Sequence, residues 1–247
     1  MSNEVRFCIT LTATIILLSS TSTLAGVPVW ARMLHWMSGD SDETTVPIMG
    51  MGDHMQMTTK ATPRAEDALR AASIVRSARE VLRRYPDAAS AQRDGYRPFH
   101  MTGIVGEEIH YSSIRYGYAE GKRVDYLHPG SILFRRTEQG LIPIGVMYSA
   151  PNNSTAEELN SRAPLSFGTW HRHVDFCLPT GSDAGIPTGD PRFGYTGTIH
   201  AKADCIKSGG YWLPVAFGWM THVYPDEGQV WGGEEMDMSQ SGAESVR

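Results

Sequence analysis

What the chain does without excludes several functions. It has only three cysteines in 247 residues, too few for a disulfide-dense scaffold or a cysteine-built zinc domain. Twenty-two Lys and Arg stand against 27 Asp and Glu, a net charge of -5, and no basic stripe is visible. A nucleic-acid or anionic-membrane partner is therefore not expected. No phosphate loop, nucleophile elbow or zincin motif occurs. There is no internal repeat with the period of a solenoid or propeller. The paired acids Glu107-Glu108 and Glu234-Glu235 are adjacent in sequence. On a strand adjacent residues face opposite ways, so neither pair reads as a glycosidase dyad.

The longest apolar run is short and lies at the start. A polar stretch carrying Arg6 leads into residues 7–18 and then to the small residue Ala25. This is the layout of a secretory signal peptide, and cleavage near Ala25 is expected to send the chain to the periplasm or the medium. No later segment is apolar enough to cross a bilayer as a helix, so no span is expected in the mature chain. Cleavage removes Cys8 and leaves Cys177 and Cys205. An even pair in an oxidising compartment predicts one disulfide. The competing reading makes Cys177, four residues beyond His173, a thiolate ligand.

The rest divides into three parts. Residues 26–62 show no sustained period and are rich in Gly, Ser, Thr, Asp and Met, the composition of a flexible extension. Residues 227–247 read as a similar tail. Between them, 63–226 carry the globular signals. Ala68, Leu69, Ala72, Val75, Leu82 and Tyr85 predict a helix over 64–85, stopped by Pro86. A helical turn follows over 87–93. Short β-branched and aromatic runs then predict strands at 131–135 and 141–149, joined through Gly140. Thr155 and Glu158 have capping-box spacing and predict a helix to 162. Two more strands are expected at 167–177 and 213–224, with a long loop at 179–191. The order suits an α+β protein, a helix followed by a mainly antiparallel β-sheet or barrel, with flexible Met-rich tails.

The chemistry-bearing residues are histidine and methionine. His171 and His173 project from one face of a strand because side chains alternate, making a bidentate metal clamp. His110 and His222, in strand-like segments, are the candidates for further imidazole ligands. The spacing is similar to the His-x-His of cupins, but the glutamate and closing histidine of that pattern are not at their usual offsets. Met49-Gly50-Met51, Met55-Gln56-Met57 and Met236-Asp237-Met238 repeat one Met-x-Met pattern, and His54 lies among them. Thioether sulfur is a soft donor that selects Cu(I) over zinc or iron. Met49, Met51, His54, Met55 and Met57 are thus expected to form a tail site independent of the domain histidines. The alternative for such methionines is a partner-docking surface. Tyr211, Trp212, Phe217 and Trp219 suit a pocket for a flat ligand or sugar, but core packing and tight turns of a β-fold are the favoured reading.

Tyr85-Pro86-Asp87, Asp94-Gly95-Tyr96, Ile109-His110-Tyr111 and Gly145-Val146-Met147-Tyr148, taken with the histidine-bearing strand, resemble a loose group of exported bacterial proteins. The resemblance covers residues 85–224 and implies export and a single β-rich, histidine-containing core domain; it brings no activity with it.

The expectation is an exported transition-metal-binding protein that binds or traffics copper, with zinc or iron less favoured. Its partners would be the metal ion and another periplasmic or membrane-bound copper protein. One alternative is a secreted metalloenzyme with an open His-ligated site, in which Asp175 or Glu107 orients a ligand or acts as base. Another is a binding module for a small organic ligand.

Overall fold

The computed structural model describes residues 46–50, 54–99, 103–180, 190–194 and 197–232. The chain is β-rich. Eight strands form one antiparallel sheet in the order β1-β2-β7-β8-β6-β5-β4-β3. They are β1 Ile48–Gly50, β2 Met55–Thr58, β3 Arg97–Pro98, β4 Glu108–Ser112, β5 Ser131–Thr137, β6 Gly140–Ala150, β7 His171–Pro179 and β8 Gly210–Val223. β1 and β3 do not pair with each other, so the sheet is open and is not a barrel. Among the described residues five helices accompany the strands: α1 Asp67–Arg84, α2 Ala88–Arg93, α3 Ile114–Lys122, α4 Ala156–Arg162 and α5 Lys202–Lys207. Among the described residues no helix is long and apolar enough to cross a membrane.

The local signals are met in detail at the caps. Thr155 and Glu158 exchange hydrogen bonds in a capping box at the start of α4, and Asp87 and Ser90 do the same for α2. Each box satisfies amide groups that the first helical turn leaves without intrahelical partners. Gly140 turns the β5–β6 hairpin at φ 131°, a backbone value that side-chain-bearing residues rarely adopt.

α1 buries a different face from the one its apolar periodicity suggests. Ala71, Ile74, Ala78 and Val81 are buried, whereas Leu69 is 77% exposed. Two apolar stripes one residue apart satisfy the helical period, and the one facing β6 wins because Ile74, Ala78, Val81 and Tyr85 fit between Tyr96, Val146 and Tyr148. That core continues along one face of the sheet through Ile109, Tyr111, Ile132, Phe134, Trp170, Trp219 and Val223. Arg172 is buried on the same side, held by Gln56 and Asn152 with its guanidinium over the Trp219 ring.

Two segments expected to be flexible extensions are parts of the sheet. β1 and β2 come from the stretch 26–62, and β2 pairs along β7 in the register Met55↔His173 and Met57↔His171. Four residues are too few for alternation to announce a strand, so its partner decides its structure. At the other end, Val223 bridges Trp231. Trp231 lies on Gly168, where a Cβ would come within 2.5 Å of its ring. Residues 227–232 therefore return to the sheet, and the rest of the expected tail, 233–247, lies outside the described residues. The segment 1–25 expected to be a signal peptide, Met51, Met236, Met238 and most of the 179–191 loop lie outside the described residues.

Cys177 on β7 and Cys205 on α5 form the expected disulfide, S–S 2.07 Å. Cys177 is thereby removed as a thiolate ligand. Gly210 passes beneath the bond so closely that a Cβ there would lie 2.4 Å from Cys177 Sγ.

Candidate functional site

The face of the sheet opposite the main core carries polar and sulfur-bearing side chains. Cross-strand partners point the same way, with Cβ atoms about 4.5–5.5 Å apart. His171 therefore stands between Met57 on β2 and Met220 on β8, His173 stands opposite Met55, and His222 stands opposite Met147. Each of these three histidines has a methionine as its cross-strand neighbour. The Met147 and Met220 side chains pack together with Leu133, Ile144 and Tyr224.

His110 joins this group although β4 lies three strand spacings from β8, about 14 Å across a flat sheet. Its ring centre is 5.2 Å from that of His222, so the sheet must curl strongly to bring the two together. Gly145 on the intervening β6 makes the curl possible. Any Cβ there would sit 2.7 Å from the Tyr224 ring and 2.8 Å from the Val223 carbonyl. A bulge shapes the same region: the two-residue step from His171 to His173 on β7 faces the four-residue step from Met220 to Ala216 on β8. The extra residues include Phe217 and Gly218, both at left-handed φ, 68° and 75°. For Phe217 this backbone costs about 1–3 kcal/mol, the kind of local strain that collects at functional sites. Its ring meets Phe99 edge-on at 5.2 Å.

The four histidines form a continuous cluster. Ring centres are 5.0 Å apart for His171 and His222 and 5.6 Å for His171 and His173. Two imidazoles that each give one nitrogen to a tetrahedral ion have ring centres roughly 5 Å apart. The rings now meet edge to face, at 73° to 85°. As the side chains stand, no group of three or more His, Cys, Asp or Glu among the described residues is arranged to hold a metal ion. Histidine χ2 is a broad torsion, so ring rotation requires no backbone change.

The electrostatics keep His171, His173 and His222 neutral. Burial pushes the His171 imidazole down to about 3 and His173 down to about 4, with further contributions from neighbouring imidazoles. Burial, followed by the charges of His171, His110 and His173, also holds His222 well below the usual histidine range. Neutral imidazole is the form that presents a lone pair to a metal.

One histidine has a defined tautomer. The Tyr224 hydroxyl donates to Glu108 Oε1 at 2.9 Å and lies 3.3 Å from His222 Nδ1. A hydroxyl has one proton, and here it goes to the carboxylate, so the Tyr224 oxygen accepts from His222 Nδ1–H. His222 Nε2 is left with its lone pair. That nitrogen is buried and has no hydrogen-bond partner among the described residues, and the same holds for His171 Nδ1. Glu108 Oε1 is also 3.6 Å from His110 Nε2, so one carboxylate serves His110 directly and His222 through Tyr224.

The remaining expected ligands are placed differently. His54 directs Nδ1 at the Val174 carbonyl (3.2 Å) and Nε2 at the Gly197 carbonyl (2.9 Å), and its ring lies against Phe176 and His200. With both nitrogens facing backbone acceptors it is a structural tie between β2 and the segment after the 179–191 loop. Met55 and Met57 are buried at the histidine face and do not belong to a separate tail site. Met49 is on the exposed edge strand opposite Met57. Glu107 faces away from His110 and pairs with Arg136 at 3.5 Å. Asp175 sits at a left-handed backbone position, φ 61°.

Glu108, Tyr224, Met147 and Met220 were not anticipated. The signal was present: Glu108 is two residues from His110, and Met220 and Tyr224 flank His222 at the same interval, so alternation puts each on a histidine's face. The aromatic residues at 211–219 form core and bulge. A hollow of about 220 Å³ lies elsewhere, lined by Lys60, Phe167, Thr169, Gln229, Val230 and Trp231. No family model matches this chain, and no curated protein or solved structure matches it either.

Proposed function

We propose that this is an exported copper-binding protein whose site is the His110, His171, His173 and His222 cluster with the thioethers around it. The observation that carries the reading is the pair His171 and His222. They are adjacent buried imidazoles, each with a ring nitrogen that meets no hydrogen-bond partner among the described residues. Leaving a buried polar atom unpaired costs about 1–3 kcal/mol, and a metal ion satisfies both lone pairs at once. The Glu108–Tyr224–His222 chain matches what ligand histidines need, a hydrogen bond on the far nitrogen that fixes the tautomer. The cross-strand methionines select the metal: imidazole with thioether is a donor set that suits copper, above all Cu(I), better than zinc.

The test is anaerobic loading of the purified protein with Cu(I), desalting, and metal analysis, with copper K-edge absorption to identify the donors. One copper per chain with nitrogen and sulfur neighbours is expected, lost in a His171→Ala/His222→Ala variant that keeps its β-sheet signal. A wild-type protein that emerges copper-free overturns the reading. Equal copper in wild type and double variant overturns the site.

A further inference from the structure

The His171 and His222 rings of the cluster are buried, which raises the question of how an ion reaches them. His171 is 1% exposed and Met57 beside it 2%. Yet the sheet register sets four donor side chains in one row on one face: Met49 on β1, Met57 on β2, His171 on β7 and Met220 on β8. The row begins at the surface, because Met49 is 44% exposed on the edge strand, and ends inside, where Met220 is 4% exposed. Neighbours in the row are directly paired, so each step spans about 4.5–5.5 Å between Cβ atoms. A methionine side chain has three rotatable bonds and can swing its sulfur toward either neighbour.

From this juxtaposition we infer that Met49 and Met57 are the loading path for Cu(I) into the histidine site. The inference rests on the copper reading above and adds the route. The ion moves by ligand exchange. The Met49 thioether replaces one ligand of the incoming Cu(I) complex, Met57 sulfur adds as the donor's last ligand leaves, and a His171 nitrogen adds as Met49 lets go. Copper stays Cu(I) throughout, no electron is transferred, and no proton is released because the accepting imidazole is neutral. Thioethers bind Cu(I) weakly and are never blocked by protons in the accessible pH range, so they pass the ion on without trapping it. Ions with little affinity for thioether, such as Co(II), gain nothing from the row.

The experiment is stopped-flow transfer of Cu(I) from its bis-bicinchoninate complex to the metal-free full chain, following loss of the chelate colour, with Co(II) uptake measured in parallel. Met49→Leu is the main variant, because an exposed edge residue can lose its sulfur without disturbing the core. Met57→Leu is the second, a near-volume-conserving swap. Each is expected to slow Cu(I) uptake about tenfold, while Met49→Leu leaves the final copper content and the Co(II) rate at wild-type values. Wild-type Cu(I) rates in Met49→Leu overturn the path and leave the copper site standing. An equal slowing of Co(II) in that variant also overturns it, since the effect is then one of access. A wild-type chain that takes up no Cu(I) overturns both readings.

Discussion

Tyr224 and Glu108 are joined by a 2.9 Å hydrogen bond although their strands, β8 and β4, are separated in the sheet by β6 and β5. The phenol lies over Gly145 and closes the curl that brings His110 to His222. Burial and the Glu108 charge raise its own proton affinity far above the ordinary phenol range. The phenol therefore keeps its proton through the neutral range and donates it to Glu108.

Tyr224→Phe keeps the ring and removes only the hydroxyl. Glu108 then loses its donor and His222 Nδ1–H its acceptor, a cost of about 1–3 kcal/mol in the metal-free protein. Copper affinity should fall by about 10- to 100-fold, the usual effect of losing a partner behind a ligand histidine. Urea denaturation checks the first number and chelator competition the second. An unchanged copper affinity shows that the hydroxyl braces the sheet and does not orient the ligand.

The buried histidines make the metal-free protein acid-labile. Their native proton affinities are depressed, to about 3 for His171 and about 4 for His173, with His222 also low, against about 6.5 in the unfolded chain. Above pH 6.5 neither state is protonated and stability is full. As pH falls below 6.5 the unfolded chain gains protons that the native cluster refuses, and stability drops by up to about 1.4 kcal/mol per pH unit for each such group. Denaturation free energies from pH 7.5 down to 5 should show this slope, and His222→Asn should reduce it by about one proton. A flat profile contradicts the burial of neutral imidazoles.

Glu120 predicts a dependence of the opposite sign. This α3 carboxyl is 1% exposed, accepts from the amides of Gly130 and Ser149 through Oε2, and has no partner for Oε1 among the described residues. Burial pushes it up to about 8. The native state thus keeps a proton that the unfolded chain releases above about 4.5. Stability from this group is full below that pH and is lost as pH rises toward 8. Glu120→Gln mimics the protonated form, so its stability relative to wild type should grow between pH 5 and 8, by at most about 1.4 kcal/mol per unit. A constant difference across that range excludes a buried neutral carboxyl.

Much of this arrangement is written in short-range pattern. The capping box at Thr155, the Gly140 hairpin and the neighbouring rings of His171 and His173 follow from spacings of two to four residues. What is not legible is long-range. Met55 and Met57 sit in a four-residue strand whose identity comes from pairing with β7, so composition assigns them to a tail. Similarly, Leu69 and Ile74 satisfy the same helical period, and only the sheet beneath α1 decides between them. The curl that joins His110 to His222 depends on a missing side chain at Gly145, which looks like any strand glycine until Tyr224 is seen lying on it.

The strand order has a consequence for how the protein comes into being. β8, the last of the described strands in the chain, lies between β7 and β6 near the middle of the sheet. β2 pairs locally with β1 but meets β7, its other neighbour, only across a long stretch, and the His54–Val174 contact that accompanies this joining closes 120 residues of chain. During synthesis the inner edge of β2 therefore waits for β7, and the inner edge of β7 waits for β8. Most pairings join consecutive strands, and the two that do not, β2 with β7 and β6 with β8, complete the sheet as a late event of the non-local kind that folds slowly. The four imidazoles do not exist as a group before that event, so a nascent chain offers passing metal ions scattered side chains and no formed centre.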